Sequence, residues 1–126
     1  MRVVSGALVG RERAWPSVVR IQLRAPGLGT VGPGQVFFDP PVPMDKRAPP
    51  DGMSIDEQGN LYLSGSGGVW VVDKFGRSLG LIAIPEFCSN VTFGGPDGKT
   101  LYFTCAKQVY SLAAKVRGGQ FVRKNK

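Results

Sequence analysis

Apolar and polar positions along this chain alternate in short runs, each soon broken by glycine, proline or asparagine. Period-two alternation punctuated in this way predicts strands joined by tight turns. No stretch free of Gly and Pro is long enough to set up a strong amphipathic helix, so the fold class is all-β. One unit reads in full: strands over 53–56, 60–64, 69–73 and 80–84, from innermost to rim. Its turns fall at Gln58-Gly59-Asn60, at 65–68 and at Lys74-Phe75-Gly76, where Gly and Asn adopt positive φ at little cost.

Two central stretches repeat. "NLYLSGSGGVWVVD" and "TLYFTCAKQVYSLA" align without a gap, setting Leu61, Tyr62, Val69 and Trp70 against Leu101, Tyr102, Val109 and Tyr110, 40 residues on. Upstream, Met53 and Ile55 fall on Val91 and Phe93 with the offset reduced to 38 by the longer turn "GGPDGK". A period of about 40 residues with four short strands is that of a propeller blade. A following blade takes strands over 90–93, 101–105 and 109–112, and 18–23 and 36–38 make the outer two strands of a preceding one. Residues 1–14 do not fit this strand rhythm. About two blades and part of a third cannot close a ring of four or more, so the chain reads as a fragment. Its inter-blade core is expected to hold Ile55, Leu61, Leu63, Trp70, Val72, Phe93, Leu101 and Phe103.

Charge changes this picture little. The formal net charge is +7, but residues 1–24 carry five Arg against one Glu and residues 115–126 carry five basic residues against none. The 90 residues between them hold six basic against eight acidic. Nucleic-acid binding calls for a basic patch on the folded face joined by stacking aromatics, so no nucleic-acid partner is expected. No apolar run approaches the ~20 residues of a membrane-spanning helix, and the N-terminus lacks a signal-peptide cleavage pattern. A soluble, cytoplasmic chain with no membrane partner follows. Cys88 and Cys105 are too few for a disulfide scaffold and are read as buried thiols.

The candidate chemistry narrows quickly. The absence of histidine removes Ser-His-Asp and Cys-His catalysis and His-based zinc sites. "GLGTVG", residues 27–32, matches a dinucleotide-binding fingerprint in letters, but Pro33, Pro40, Pro41, Pro43, Pro49 and Pro50 leave no room for the helix that motif must open. It reads as a flexible crossing between strands. "NVT", residues 90–92, is a glycosylation sequon in form only, because it falls on an inner strand. Asp56 and Asp97 sit at tight turns, and turn-making explains them. Asp51 differs: it precedes an innermost strand, which brings it to the mouth of the central channel, and its repeat counterpart is Ser89.

At this point the motifs P-D-G-M followed by I-D-x-x-G-N-L-Y, then G-G-V-W-V, then F-G-G-P-D-G-K-T-L-Y resemble the last third of the gluconolactonase and regucalcin (senescence marker protein) family. The resemblance runs from about Val31 to Gly118. It implies a fragment of a six-bladed β-propeller and divides the chain into an unmatched segment 1–17, a partial propeller 18–118 and a basic tail 119–126. It implies a hydrolase opening sugar lactones such as gluconolactone, with a divalent cation, calcium first and zinc, magnesium or manganese as alternatives. By match to P-D-G-M, Asp51 is both metal ligand and general base. The family's Glu and Asn ligands have no counterpart here, so the chain alone is expected to be inactive. A non-catalytic propeller remnant or blade-type interaction module is the alternative. Open blade edges invite self-association. Sedimentation of the 126-residue chain at micromolar concentration should therefore show species larger than a monomer. A sharp monomeric boundary with a cooperative melt would show that the arc covers its own edges.

Overall fold

The computed structural model describes residues 2–10, 13–21, 23–24, 30–31, 35–46, 48 and 50–122. Its strands are β1 (Arg2–Gly10), β2 (Arg13–Ile21), β3 (Leu23–Arg24), β4 (Thr30–Val31), β5 (Gln35–Phe38), β6 (Met53–Ile55), β7 (Leu61–Gly65), β8 (Gly68–Val72), β9 (Ser78–Ala83), β10 (Cys88–Gly94), β11 (Thr100–Cys105) and β12 (Val109–Ala113). The helical turns among the described residues are two short 3-10 segments, Met44–Lys46 and Gly119–Phe121. The strands form antiparallel sheets ordered β1-β2-β5, β6-β7-β8-β9 and β10-β11-β12, with β3 and β4 making a small hairpin of their own. This is an arc of propeller blades.

Register confirms the repeat. In the second sheet Leu61 pairs with Val72 and Leu63 with Trp70, and in the third Leu101 pairs with Leu112 and Phe103 with Tyr110. The inner pairs correspond as well: Met53 with Leu63 and Ile55 with Leu61, against Val91 with Phe103 and Phe93 with Leu101. The turns use the expected glycines. Gly76, with φ 86°, also lies so close to the Phe37 carbonyl that a Cβ would collide with it. That residue must therefore be glycine for two reasons.

The core sits between sheets. Phe37, Phe38, Leu61, Leu63 and Val72 form one buried cluster between the first and second sheets, with Trp70 half-buried and its ring 5.6 Å from that of Phe38. Tyr62, Val69, Val91, Phe93, Leu101 and Phe103 form another between the second and third, where the rings of Tyr62 and Phe93 meet edge-on at 5.1 Å. The Ser54 hydroxyl donates to the Val91 carbonyl at 2.6 Å and ties the two inner strands. Equivalent positions diverge where a neighbour ends. Tyr62 is 7% exposed and Val69 fully buried, whereas Tyr102 and Val109 are 36% and 66% exposed, because no further sheet covers the far face of the third among the described residues.

Five expectations need correction. Residues 2–10, outside the strand rhythm in sequence, are β1, which pairs along its whole length with β2. Its partner backbone supplies the pairing that its own pattern does not announce. The strand expected over 18–23 begins at Arg13 and ends at Ile21, Leu23 belongs to the small hairpin, and Thr30 and Val31 of the supposed crossing are β4. The other residues of 27–32 lie outside the described residues. Ile55 is 47% exposed, since Phe37 and Phe38 come from an edge strand of the first sheet and leave the inner end of this face bare. Cys88 and Cys105 are joined in a disulfide, because the β10–β11 register sets them directly opposite each other.

Phe103 lies fully within the inter-sheet core, so Phe103→Ala should lower the unfolding free energy by about 3–5 kcal/mol. Val109→Ala, on the bare face, should stay within about 0.5 kcal/mol. Urea unfolding of both variants checks this, and equal losses would mean that the far face is covered.

Candidate functional site

Asp51 and Gly52 lead into β6. Pro50 precedes them and has no amide to donate, so the chain cannot enter the strand earlier through its own ladder. The Asp51 amide donates to the Ser64 carbonyl at 3.2 Å, and the Gly52 carbonyl accepts from the Ser64 amide at 3.0 Å. The Gly52 amide has two acceptors, the Ser89 carbonyl and the Ser64 hydroxyl, both at 2.9 Å. A Cβ at Gly52 would strike Asn90, which packs against it from the third sheet. The structure thus sets Asp51 in an exposed position, one residue before the Gly52 that meets Ser89 and Asn90 of the third sheet. The Ser89 hydroxyl donates to the Thr104 carbonyl at 3.1 Å and lies 3.2 Å from the Thr104 hydroxyl. An exposed carboxylate can accept hydrogen bonds from a polyhydroxylated molecule and exchange a proton with it or with water.

The donor set does not make a metal centre by itself. Among the described residues no three His, Cys, Asp or Glu side chains gather to hold an ion. A hard cation such as Ca²⁺ takes six or more oxygens, several of them carboxylates or carbonyls. Asp51 alone falls short of that.

Asp56 lies at the opposite end of β6 and does more than make a turn. Its carboxylate is buried and accepts from the Gln58 amide at 2.8 Å, the Asn60 amide at 3.0 Å, the Asn60 side chain at 3.1 Å and the Tyr62 hydroxyl at 3.0 Å. Burial, with the charge of Asp56 and the hydrogen bond to it adding, pushes the Tyr62 hydroxyl far above its ordinary value. The returning C-terminal segment closes on the same turn: Glu57 donates to Arg117 through the backbone at 2.9 Å, the Glu57 carboxylate pairs with the Arg117 guanidinium at 3.4 Å, and Asp56 bridges to Gly118. Asp97 remains a turn residue, accepting from the Lys99 amide at 3.0 Å.

With this geometry in view, the comparison with known families is direct: the SMP-30/Gluconolactonase/LRE-like region matches residues 20–107. The chain belongs to this family. It is 39% identical over 71 residues to a gluconolactonase of Zymomonas mobilis, covering 55% of this chain and 20% of the relative. It is 42% identical over 60 residues to the pentonolactonase XacC of Haloferax volcanii, covering 45% of this chain and 21% of that protein. The solved structure of XC5397 from Xanthomonas campestris, described as a gluconolactonase, superposes with a TM-score of 0.64 at 28% identity over 81% of this chain and 31% of its own. The chain therefore spans about a fifth of the length of these curated relatives.

Ser64 and Ser66 escaped the reading of the sequence. Serines are frequent in turn-rich strands, and the one signal pointing to either is that Ser64 aligns with another hydroxyl, Thr104.

Asp56→Ala should cost about 3 kcal/mol of stability, since four donors lose their acceptor and the Tyr62 hydroxyl stays buried. The raised Tyr62 pKa means that its stabilising contribution is complete below the ordinary tyrosine value of 10.0 and is lost as pH rises beyond it. Urea unfolding across that range should show a fall that Tyr62→Phe lacks, and identical profiles would contradict this assignment.

Proposed function

We propose that this chain carries part of the site of a lactone hydrolase of gluconolactonase type, with Asp51 as the general base. The observation that carries the reading is Asp51 itself, held before an inner strand by Ser64 and Ser89 in a member of this family. The Asp51 carboxylate takes a proton from a water as that water attacks the lactone carbonyl. The tetrahedral intermediate collapses, the ring C–O bond breaks, and the proton returns to the departing ring oxygen, yielding the hydroxy acid. The hydroxyls of Ser89, whose carbonyl accepts from the Gly52 amide, and of Thr104, which lies against the Ser89 hydroxyl, suit a sugar-derived substrate.

In a complete six-bladed ring, Asp51 would also serve as one ligand of a divalent cation, calcium first among the candidates. The donors described here do not complete such a site, so the step assigned above is proton transfer alone. Among the described residues no helix is long and apolar enough to cross a membrane. A cytoplasmic setting belongs to this reading only with Cys88 and Cys105 reduced, because disulfides persist in oxidising compartments. The alternative, a blade-type interaction module, is favoured by one observation: the bare far face of the third sheet.

The test places residues 20–118 of this chain into the matching span of a lactone-opening relative. Opening of D-glucono-δ-lactone is followed with a pH indicator, corrected for spontaneous hydrolysis, under added Ca²⁺, Mg²⁺, Mn²⁺ and Zn²⁺. Asp51→Ala should reduce kcat by roughly 10²–10⁴-fold, and Asp56→Ala should change stability but leave kcat in place. Full activity of Asp51→Ala under every metal would remove the assignment and leave the interaction module standing.

A further inference from the structure

The segment that delivers Asp51 reads Arg47-Ala48-Pro49-Pro50-Asp51-Gly52. Two of its residues have no amide hydrogen, so backbone ladder bonds reach it only at Asp51 and Gly52. Two buried serines from the end of β7 and the turn after it add side-chain bonds to it. The Ser66 hydroxyl accepts from the Ala48 amide at 2.7 Å and donates to the Ala48 carbonyl at 3.1 Å. The Ser64 hydroxyl accepts from the Gly52 amide at 2.9 Å, and its single hydrogen has the Gly52 carbonyl at 3.1 Å and the Ser89 carbonyl at 3.3 Å in reach. A hydroxyl offers one donor and two acceptor lone pairs, so each serine can engage both backbone groups of one residue. Ser64 is fully buried and Ser66 is 4% exposed, which shields these bonds from competing water. Ser66 is fixed in turn by the Trp70 indole, which donates to its carbonyl at 2.8 Å.

We propose that Ser64 and Ser66 are positioning residues: a pair of hydroxyl clamps that grips the backbone on both sides of Asp51 and so sets the direction of its carboxylate. The catalytic half of this assignment rests on the reading of Asp51 as general base. The clamp itself rests on the six distances above. A general base works only within hydrogen-bond reach of the proton it takes, so a loosened segment loses rate without losing the base.

The experiment uses the full 126-residue chain and the variants Ser64→Ala, Ser66→Ala and Ser64→Thr. Amide hydrogen exchange is measured residue by residue, together with the carboxyl ¹³C resonance of Asp51. In Ser66→Ala the Ala48 amide should exchange about tenfold faster or more, and in Ser64→Ala the Gly52 amide, left with only the Ser89 carbonyl, should exchange measurably faster, while Leu61, Leu63 and Phe103 keep their protection. The Asp51 carboxyl resonance should move in both variants, a change that a purely structural role would not produce. Ser64→Thr should restore protection at Gly52, since it keeps the hydroxyl, and Ser66→Ala decides the question where variants at the tighter site do not fold. Unchanged exchange at Gly52 and Ala48, or a loss spread evenly over the chain, would overturn the clamp. None of these readouts needs turnover. A ring that opens no lactone removes the role of Asp51 and leaves the clamp standing, whereas lactone opening with unperturbed exchange removes the clamp alone.

Discussion

The second and third sheets each bear apolar side chains on two faces, and only another sheet is broad and flat enough to cover one of them. That constraint explains the distribution of burial better than the identity of any residue. Leu61, Leu63 and Val72 are buried because Phe37 and Phe38 of the first sheet lie over them, and Tyr62 and Val69 because Val91, Phe93, Leu101 and Phe103 of the third lie over them. Burying each such side chain is worth about 1.5–3 kcal/mol, so the sheets hold one another rather than standing alone. Where the stack stops, the same repeat positions are exposed.

Stacking also creates two polar problems, one at each end of β6, and they are solved in different ways. At one end the Asp56 carboxylate gathers four donors and brings the tyrosine of the inter-sheet core, the turn and the returning C-terminal segment to a single point. At the other end, backbone groups of a proline-interrupted segment are taken up by buried serine hydroxyls. The first end has a charged acceptor and the second neutral hydroxyls, and Asp51 is exposed where Asp56 is buried. Two aspartates five residues apart, one on either side of β6, thus differ in burial. The difference lies in what surrounds each carboxylate, not in the strand that carries it.

The family assignment fits this division. The matched span includes both ends of β6 and most of the third sheet. Among the described residues no three His, Cys, Asp or Glu side chains gather to hold a metal ion.

Much of this was legible in the sequence, and for a local reason. Alternation and turn residues act over a few positions, so the strands of the second and third sheets, the 40-residue repeat and the place of Asp51 before an inner strand could be read directly. What eluded it depends on groups distant in the chain. β1 is a strand because β2 pairs with it, and Ile55 is exposed because the neighbouring sheet does not reach it. Cys88 and Cys105 are joined because a ladder sets them face to face across 17 residues of sequence. Ser64 and Ser66 grip Asp51's segment because the packed turn after β7 brings their hydroxyls to its backbone. Periodicity states which face a side chain takes, but only the assembled sheets decide what meets it there.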